Sequence, residues 1–346
     1  AEWLEFMVGL AARLGRKPVL ISSADQFVTA IAQHADALAR HFTFCHAAIA
    51  TQALLATKKR QYELSEAHGL PVPRTQYVRC MEDVTAFGAA ARFPCLLKPL
   101  HFRDWEIFPA GHPLAAQKLV IVHSPEDLAA KYSMAAEASP ELVAQEIIEG
   151  PDSAKLVYLS CYGTGSRLLG SCVVRQLRAW PIHFGSASVV EPVSDPEAEQ
   201  LCNRFLQGIG YVGICEIELK RDSRDGQVKM IEANPRYTVT SDAAAHAGLE
   251  LGWLHYLDLI GQPVVPVKPL PRMFRHVFLM RDSATLASYR REGLLTWRDL
   301  VKSYSPPLAF FDFDWRDRRV TASHLVTVLK NLIAPSLRRI IPRKKT

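Results

Sequence analysis

The stretch from Glu216 to Arg236, EIELKRDSRDGQVKMIEANPR, spaces carboxylates, an amide and a guanidinium so that they can meet. Residues around Glu218 alternate, RDSRDG makes a polar turn, and VKMIEAN reads as a return strand, so the stretch predicts a β-hairpin. A hairpin can set Glu218 and Glu232 side by side on one face, with Asn234 two residues further along that face. Two carboxylates and an amide oxygen form a hard-oxygen site suited to Mg²⁺, with Mn²⁺ as the alternative ion. Arg236 adds a planar cation where a phosphate or acyl phosphate would sit. The competing reading, a surface hairpin with solvated acids, is disfavoured by the elements upstream.

Those elements alternate along the chain. A helix over 1–15, a strand at Pro18–Ser22 and a helix over Asp25–Leu38 suggest part of an open parallel sheet whose opening β-α unit is absent. A helix from Thr57 ends at His68-Gly69 before a proline-rich turn. Next come TQYVR as a strand, a helix over 81–91 and the strand PCLLKPL, with Lys98 at its end. A lysine on a rigid strand end is a point charge suited to nucleotide phosphates, although an exposed lysine is the commoner reading. Residues 101–117 show little periodicity and read as a functional lid or a disordered loop. KLVIVHS, a helix from Pro125, LVAQEII, and paired strands Lys155–Cys161 and Arg167–Arg175 follow. A helix capped by Ser194 or Asp195 leads into the hairpin. After it come a helical region (SDAAAHAGLELGWLHYLDLIG), a linker (VVPVKPLP), helices near 283–292 and 296–303, and an aromatic FFDFDW patch.

At 346 residues, 49% hydrophobic and 22% charged, the chain fits a globular protein with two or three subdomains. It has no apolar run of about 18 residues, and its N-terminal stretch is no signal peptide, because Glu2, Glu5 and Arg13 interrupt it. Seven scattered cysteines without a CxxC pair argue for reduced thiols and a cytoplasmic setting. The net charge of +6 gathers partly in the tail RRIIPRKKT, which reads as a solvated end, with no module for nucleic acid. The segment HLVTVLKNLIAPSLRRI could lie on a membrane surface, but packing against the body is favoured. No arrangement of cysteine, serine and histidine follows triad logic.

The hairpin resembles the metal-binding hairpin of ATP-grasp enzymes, and the order of strand-lysine, flap, strand and hairpin resembles theirs too. The likeness covers about residues 17–262. It implies an α/β, ATP-grasp fold of two α+β subdomains gripping the nucleotide, preceded by part of an open parallel α/β domain. The boundaries implied are 1–56 for that remnant, 57–262 for the ATP-grasp domain with a lid at about 75–145, and 263–346 for a C-terminal extension. Lys98 resembles the lysine on the α- and β-phosphates. Lys118 resembles the second nucleotide lysine, after a flap that here keeps only Gly111. VAQEIIEGPD resembles the hinge that holds adenine through the backbone of Glu146, Ile147 and Ile148, with Asp152 on the ribose.

VVRQLRAWPIHFGSASVVEP resembles a segment of the D-aspartate ligase kind of carboxylate–amine ligase, with Gln176 in place of the usual lysine. By that likeness Arg178 binds an acyl phosphate or substrate carboxylate, Ser186 and Ser188 position a carbonyl, and His183 lines the pocket. Two Mg²⁺ ions bridged by Glu218, Glu232 and Asn234 would neutralise ATP, and Lys98 and Arg236 would stabilise the transferring phosphoryl group. The implied activity joins a small carboxylate to an amine, an amino acid or peptide, through an acyl phosphate. The alternatives are a regulatory or scaffold protein that binds nucleotide without turnover, and a phosphotransferase that stops at phosphorylation.

Overall fold

The computed structural model of the chain describes residues 2–100, 102–109, 111–115, 117, 119–269, 273–305, 307–314 and 316–340. Lys118 and the last residues of the basic tail, 341–346, lie outside them. The chain divides into two compact units. One comprises Leu70–Glu149 with Arg221–Ile231, and the other Ala1–Gly69, Gly150–Lys220 and Glu232–Thr346. The smaller unit thus starts and ends a few residues outside the expected lid and takes in the hairpin tip.

The smaller unit is built on β1 (Thr75–Val78), β2 (Cys95–Pro99), β3 (Val120–Val122) and β4 (Leu142–Glu146), in the order β1-β4-β2-β3 with every pairing antiparallel. Helices Met81–Ala90 and Pro125–Ala135 bury Val84, Phe87, Leu128 and Tyr132 in one cluster with Cys95, Leu97, Val122 and Leu142. The second helix starts where Ser124 Oγ accepts the Asp127 N–H at 3.2 Å, with Pro125 in its first turn. The described residues of the segment 101–117 have local structure. They include a 3₁₀ helix, Phe102–Ile107, and are pinned by Trp105 and Leu114, which are 0% and 2% exposed in the same core.

The sheet of the larger unit is formed by β5 (Lys155–Gly163), β6 (Arg167–Trp180), β7 (Ser186–Val193), β8 (Gly213–Arg221), β9 (Val228–Asn234), β10 (Arg275–Val277) and β11 (Leu308–Phe310), with Arg221 and Val228–Ile231 counted in the smaller unit. Their order is β11-β10-β7-β6-β5-β8-β9, and β10 pairs with β11 in parallel. Val157, Leu159, Cys161 and Val174 face Ala243, Leu249 and Leu254 of the helical region after the hairpin. Gly170 is required there, since a Cβ would stand 2.4 Å from Leu249 Cδ1 and 2.9 Å from the Val267 carbonyl. Helix Pro196–Gly208 is capped by Asp195, whose Oδ1 accepts the Ala198 N–H at 3.0 Å.

Three expectations about this unit change. The strand at 18–22 is a single parallel bridge, Val19 to Thr43, so no parallel sheet forms among the described residues of the first segment. Its helices instead make their own cluster of Met7, Val28, Ile31, Leu38 and Phe42. The helix over 25–38 is two, Asp25–Gln33 and Ala35–Ala39, because His34 leaves the helical region at φ −121°. Strands β10 and β11 went unforeseen, being three residues each and too short to show a period.

Helix Arg318–Ile340 packs on helix Leu279–Arg291, where Asn331 Nδ2 donates to the Met280 carbonyl at 3.1 Å. Among the described residues no helix is long and apolar enough to cross a membrane. All the cysteines are free thiols: Cys95, Cys161, Cys172, Cys202 and Cys215 are buried, Cys45 is half-buried and Cys80 is exposed.

Candidate functional site

Strand alternation brings the acidic groups together. Glu216 and Glu218 are two apart on β8, opposite Leu159 and Val157 of β5. Lys155 lies two residues from Val157 on β5 and is therefore a diagonal neighbour of Glu218 on the same face. Its Nζ stands 2.6 Å from Glu218 Oε2. Glu216, only 4% exposed, accepts from Asn234 Nδ2 at 3.2 Å and from Thr238 Oγ1 at 2.7 Å. Arg236 donates from Nη2 to Asn234 Oδ1 at 2.9 Å. It is also held by Asp25 through Nε to Oδ1 at 2.7 Å and Nη2 to Oδ2 at 3.1 Å.

The charges of this centre are uneven. Burial lowers the pKa of Lys155, but Glu218, then Glu216 and Glu232, outweigh it and raise the ammonium above its ordinary value. Burial and the Glu218 charge push Glu216 up to about 7 against the hydrogen bond from Thr238. Three carboxylates therefore share Lys155, while Arg236 is matched by Asp25. The surplus of negative oxygen fits a hard divalent cation. An amide oxygen has two acceptor lone pairs, so Asn234 can serve Arg236 and a metal together.

Other expected residues have partners of their own within each unit. In the smaller unit, Lys98 Nζ donates to Gln145 Oε1 at 3.1 Å. Glu146 Oε1 accepts the Arg92 N–H at 2.9 Å, and the Ile147 carbonyl is taken by Arg224 Nη2 at 2.9 Å, so that acceptor is already used within the fold. Ile148 is buried.

In the larger unit, four expected residues have partners within the fold. Arg178 is 3% exposed and forms a two-pronged pair with Asp282, Nε to Oδ1 at 2.8 Å and Nη2 to Oδ2 at 2.7 Å, while Nη1 donates to Ser303 Oγ at 2.7 Å. Ser188, also buried, donates to the same Asp282 at 2.7 Å. Asp152 accepts from the Tyr289 hydroxyl and, at 3.2 Å, from the His183 N–H, which occupies it structurally. His183, at φ +70°, turns its Nε2 to Glu292 at 2.9 Å. Ser186 is exposed at the start of β7.

Sequence reasoning missed Lys155, Glu216 and Asp25. The signal for Glu216 was present, since it lies one strand period from Glu218. A pocket lined by Ser22, Cys45, Gln52, Pro235, Arg236 and His255 lies beside Arg236. Cys45 Sγ is 3.7 Å from His255 Nε2. Burial pushes the thiol up to about 12 and the imidazole down to about 4, so both are neutral near pH 7 and make no nucleophilic pair.

No protein-family profile matches the chain. It is 26% identical over 246 residues to D-aspartate ligase of Enterococcus faecium, covering 68% of this chain and 57% of that one. It is 23% identical over 222 residues to D-alanine–D-alanine ligase of Chromohalobacter salexigens, covering 58% and 63%. The chain therefore spans about three-fifths of the length of these relatives. The biotin carboxylase domain of Hydrogenobacter thermophilus 2-oxoglutarate carboxylase, solved with MgADP, ADP and bicarbonate, superposes with a TM-score of 0.58 at 17% identity, over 75% of this chain and 57% of that one. The chain has the ATP-grasp fold of that solved structure, and its sequence is similar to those of carboxylate–amine ligases.

Proposed function

We propose that this chain is an ATP-dependent carboxylate–amine ligase that forms an amide or peptide bond through an acyl phosphate. The observation that carries this reading is the gathering of Glu216, Glu218, Asn234, Lys155 and Arg236, with Glu232 near enough to act on Lys155, at the β8–β9 hairpin. Mg²⁺ held by Glu218, Glu232 and Asn234 would neutralise charge on the phosphates, and Mn²⁺ suits the same oxygens. A substrate carboxylate oxygen attacks the γ-phosphorus and ADP leaves. An amine nitrogen then attacks the acyl carbon, phosphate leaves and the amine loses a proton. Arg236, fixed in plane by Asp25, stabilises the developing charge without having to reorient.

Lys98 and Lys118 keep a proposed role at the phosphates, and the backbone of Glu146 to Ile148 keeps one at the base. Arg178, Asp152 and Ser188 leave this scheme because their polar atoms are spent inside the fold. The pocket beside Arg236 is the proposed seat of the small carboxylate, and an amino acid or short peptide the proposed amine. That same internal use of Arg178 and Asp152 favours, as a second reading, a nucleotide-binding protein without turnover.

The test is ADP release with ATP and Mg²⁺ across a panel of amino acids and short peptides, with the amide product identified by mass. Release that needs both substrates and stops in Glu232→Gln supports ligation. ATP binding with no release for any pair supports the second reading.

A further inference from the structure

The helix that follows Arg236 carries a second constellation, of different chemistry from the acidic hairpin. Asp242 and His246 are four residues apart on helix Ser241–His246, so they share one side of it. His276 reaches the same point from β10 and is 0% exposed. The ligand atoms of the three all lie within 4.8 Å of one another. His276 Nε2 is 3.3 Å from Asp242 Oδ2, and His246 Nδ1 is 3.5 Å from that oxygen. The His276–Asp242 separation matches the edge of a tetrahedron, about 3.3 Å, whose metal–ligand bonds are about 2.0–2.1 Å.

An independent observation points to a ligand. Neither ring nitrogen of the sealed His276 makes a hydrogen bond, although Nε2 lies 3.3 Å from Asp242 Oδ2. Buried polar atoms are almost always paired, and an idle imidazole inside a core needs a reason. Its neighbours are the rings of Phe278, edge-on at 4.9 Å, and His246, at 5.0 Å. Burial, with the His246 charge, holds His276 down to about 3, so the imidazole is neutral and can ligate. His246 Nδ1 also lies 2.9 Å from the Asp242 carbonyl, an acceptor that fixes the ring when Nε2 is the ligand instead.

We propose that Asp242, His246 and His276 bind one divalent transition-metal ion of the zinc class. Two imidazole nitrogens select such an ion over Mg²⁺, which the hairpin oxygens suit. The Asp242 and His246 side chains are 36% and 41% exposed, so the fourth position opens to water or a substrate group. The ion also braces the acidic centre. Ser241, the first residue of the helix, lies 3.2 Å by its hydroxyl from that of Thr238, and Thr238 holds Glu216.

The test uses the full chain without a histidine tag, stripped with EDTA, desalted and kept free of nucleotide. Titration with Co²⁺ should give the visible absorption of a four-coordinate ion at one equivalent, which Zn²⁺ bleaches and millimolar Mg²⁺ leaves intact. His246→Ala changes an exposed residue and should fold as the parent does, with Zn²⁺ affinity weaker by about 100-fold or more. His276→Gln should lose the Co²⁺ spectrum too. Zn²⁺ binding unchanged by both substitutions, thiolate charge-transfer bands that place the ion on cysteines, or no Co²⁺ signal at all would each overturn the proposal.

Discussion

Replacing Lys155 with methionine removes the ammonium that sits among Glu216, Glu218 and Glu232 and keeps the length of the side chain. The substitution breaks the 2.6 Å ion pair with Glu218, whose side chain is 21% exposed. Unit charges about 4 Å apart attract by about 4 kcal/mol at an effective dielectric of about 20, and breaking a buried pair costs about 3–5 kcal/mol. Partial exposure of Glu218 brings the expected destabilisation to about 2–3 kcal/mol. If this centre holds a divalent cation, the destabilisation depends on the ion. Without metal the three carboxylates stand against one another; with Mg²⁺ the ion takes over the neutralisation, and at least half of the stability returns. The assay is urea unfolding of parent and Lys155→Met, each in EDTA and in Mg²⁺, repeated in a Glu218→Gln background. In that background the Lys155 substitution should cost much less, since its main partner is uncharged. A destabilisation that is equal with and without Mg²⁺, and equal with and without the Glu218 charge, would refute the reasoning.

Arg178→Ala should cost about 3–5 kcal/mol in the same urea assay, because it strands Asp282 without its cation, and should leave nucleotide affinity unchanged; parental stability with no product formed would return Arg178 to the substrate. Glu216→Gln tests the buried acid through pH. Burial and the Glu218 charge push its carboxyl up to about 7 from the ordinary value of about 4.5, so the folded state holds a proton that the unfolded chain gives up. Parental stability then falls as pH rises from about 4.5 to about 7, and the glutamine variant gains on it by on the order of 3 kcal/mol across that window; a pH-independent difference would contradict the burial. Trp105→Ala should cost about 3–5 kcal/mol and raise hydrogen exchange in Phe102–Ile107, whereas unchanged exchange would show that the ring is no anchor.

Local patterns in the chain were legible, and distant partners were not. The hairpin could be read from its period of two and its polar turn, and it sets Glu218 and Glu232 on the predicted strands. The helix start at Asp195 followed from capping chemistry. Lys155 looked like the first residue of an ordinary strand, because nothing near it in sequence says that β5 pairs with β8. Asp25 was read correctly as a helix start, yet its hold on Arg236 joins residues 211 apart. The partner of Arg178 was hidden for a physical reason. A register shift in β6 between Gln176 and Arg178 accompanies its inward turn, and neither the irregularity nor Asp282 can be seen in the local pattern. His276 sits on a strand too short to show a period, so its meeting with Asp242 and His246 was out of reach.

The distribution of sulfur makes the molecule its own reporter. Burial pushes the thiols of Cys95 and Cys172 up to about 12 and that of Cys202 well above its ordinary value, so these groups are silent toward alkylating reagents while the fold is closed. Cys80 lies outside the core and is open to label at once. Every later sulfhydryl becomes visible only as fast as its own neighbourhood opens. Cys95 times the four-stranded sheet, and Cys161, Cys172 and Cys215 time the seven-stranded one, so a single reagent and a mass spectrometer could rank the two units by kinetic resistance without an added probe.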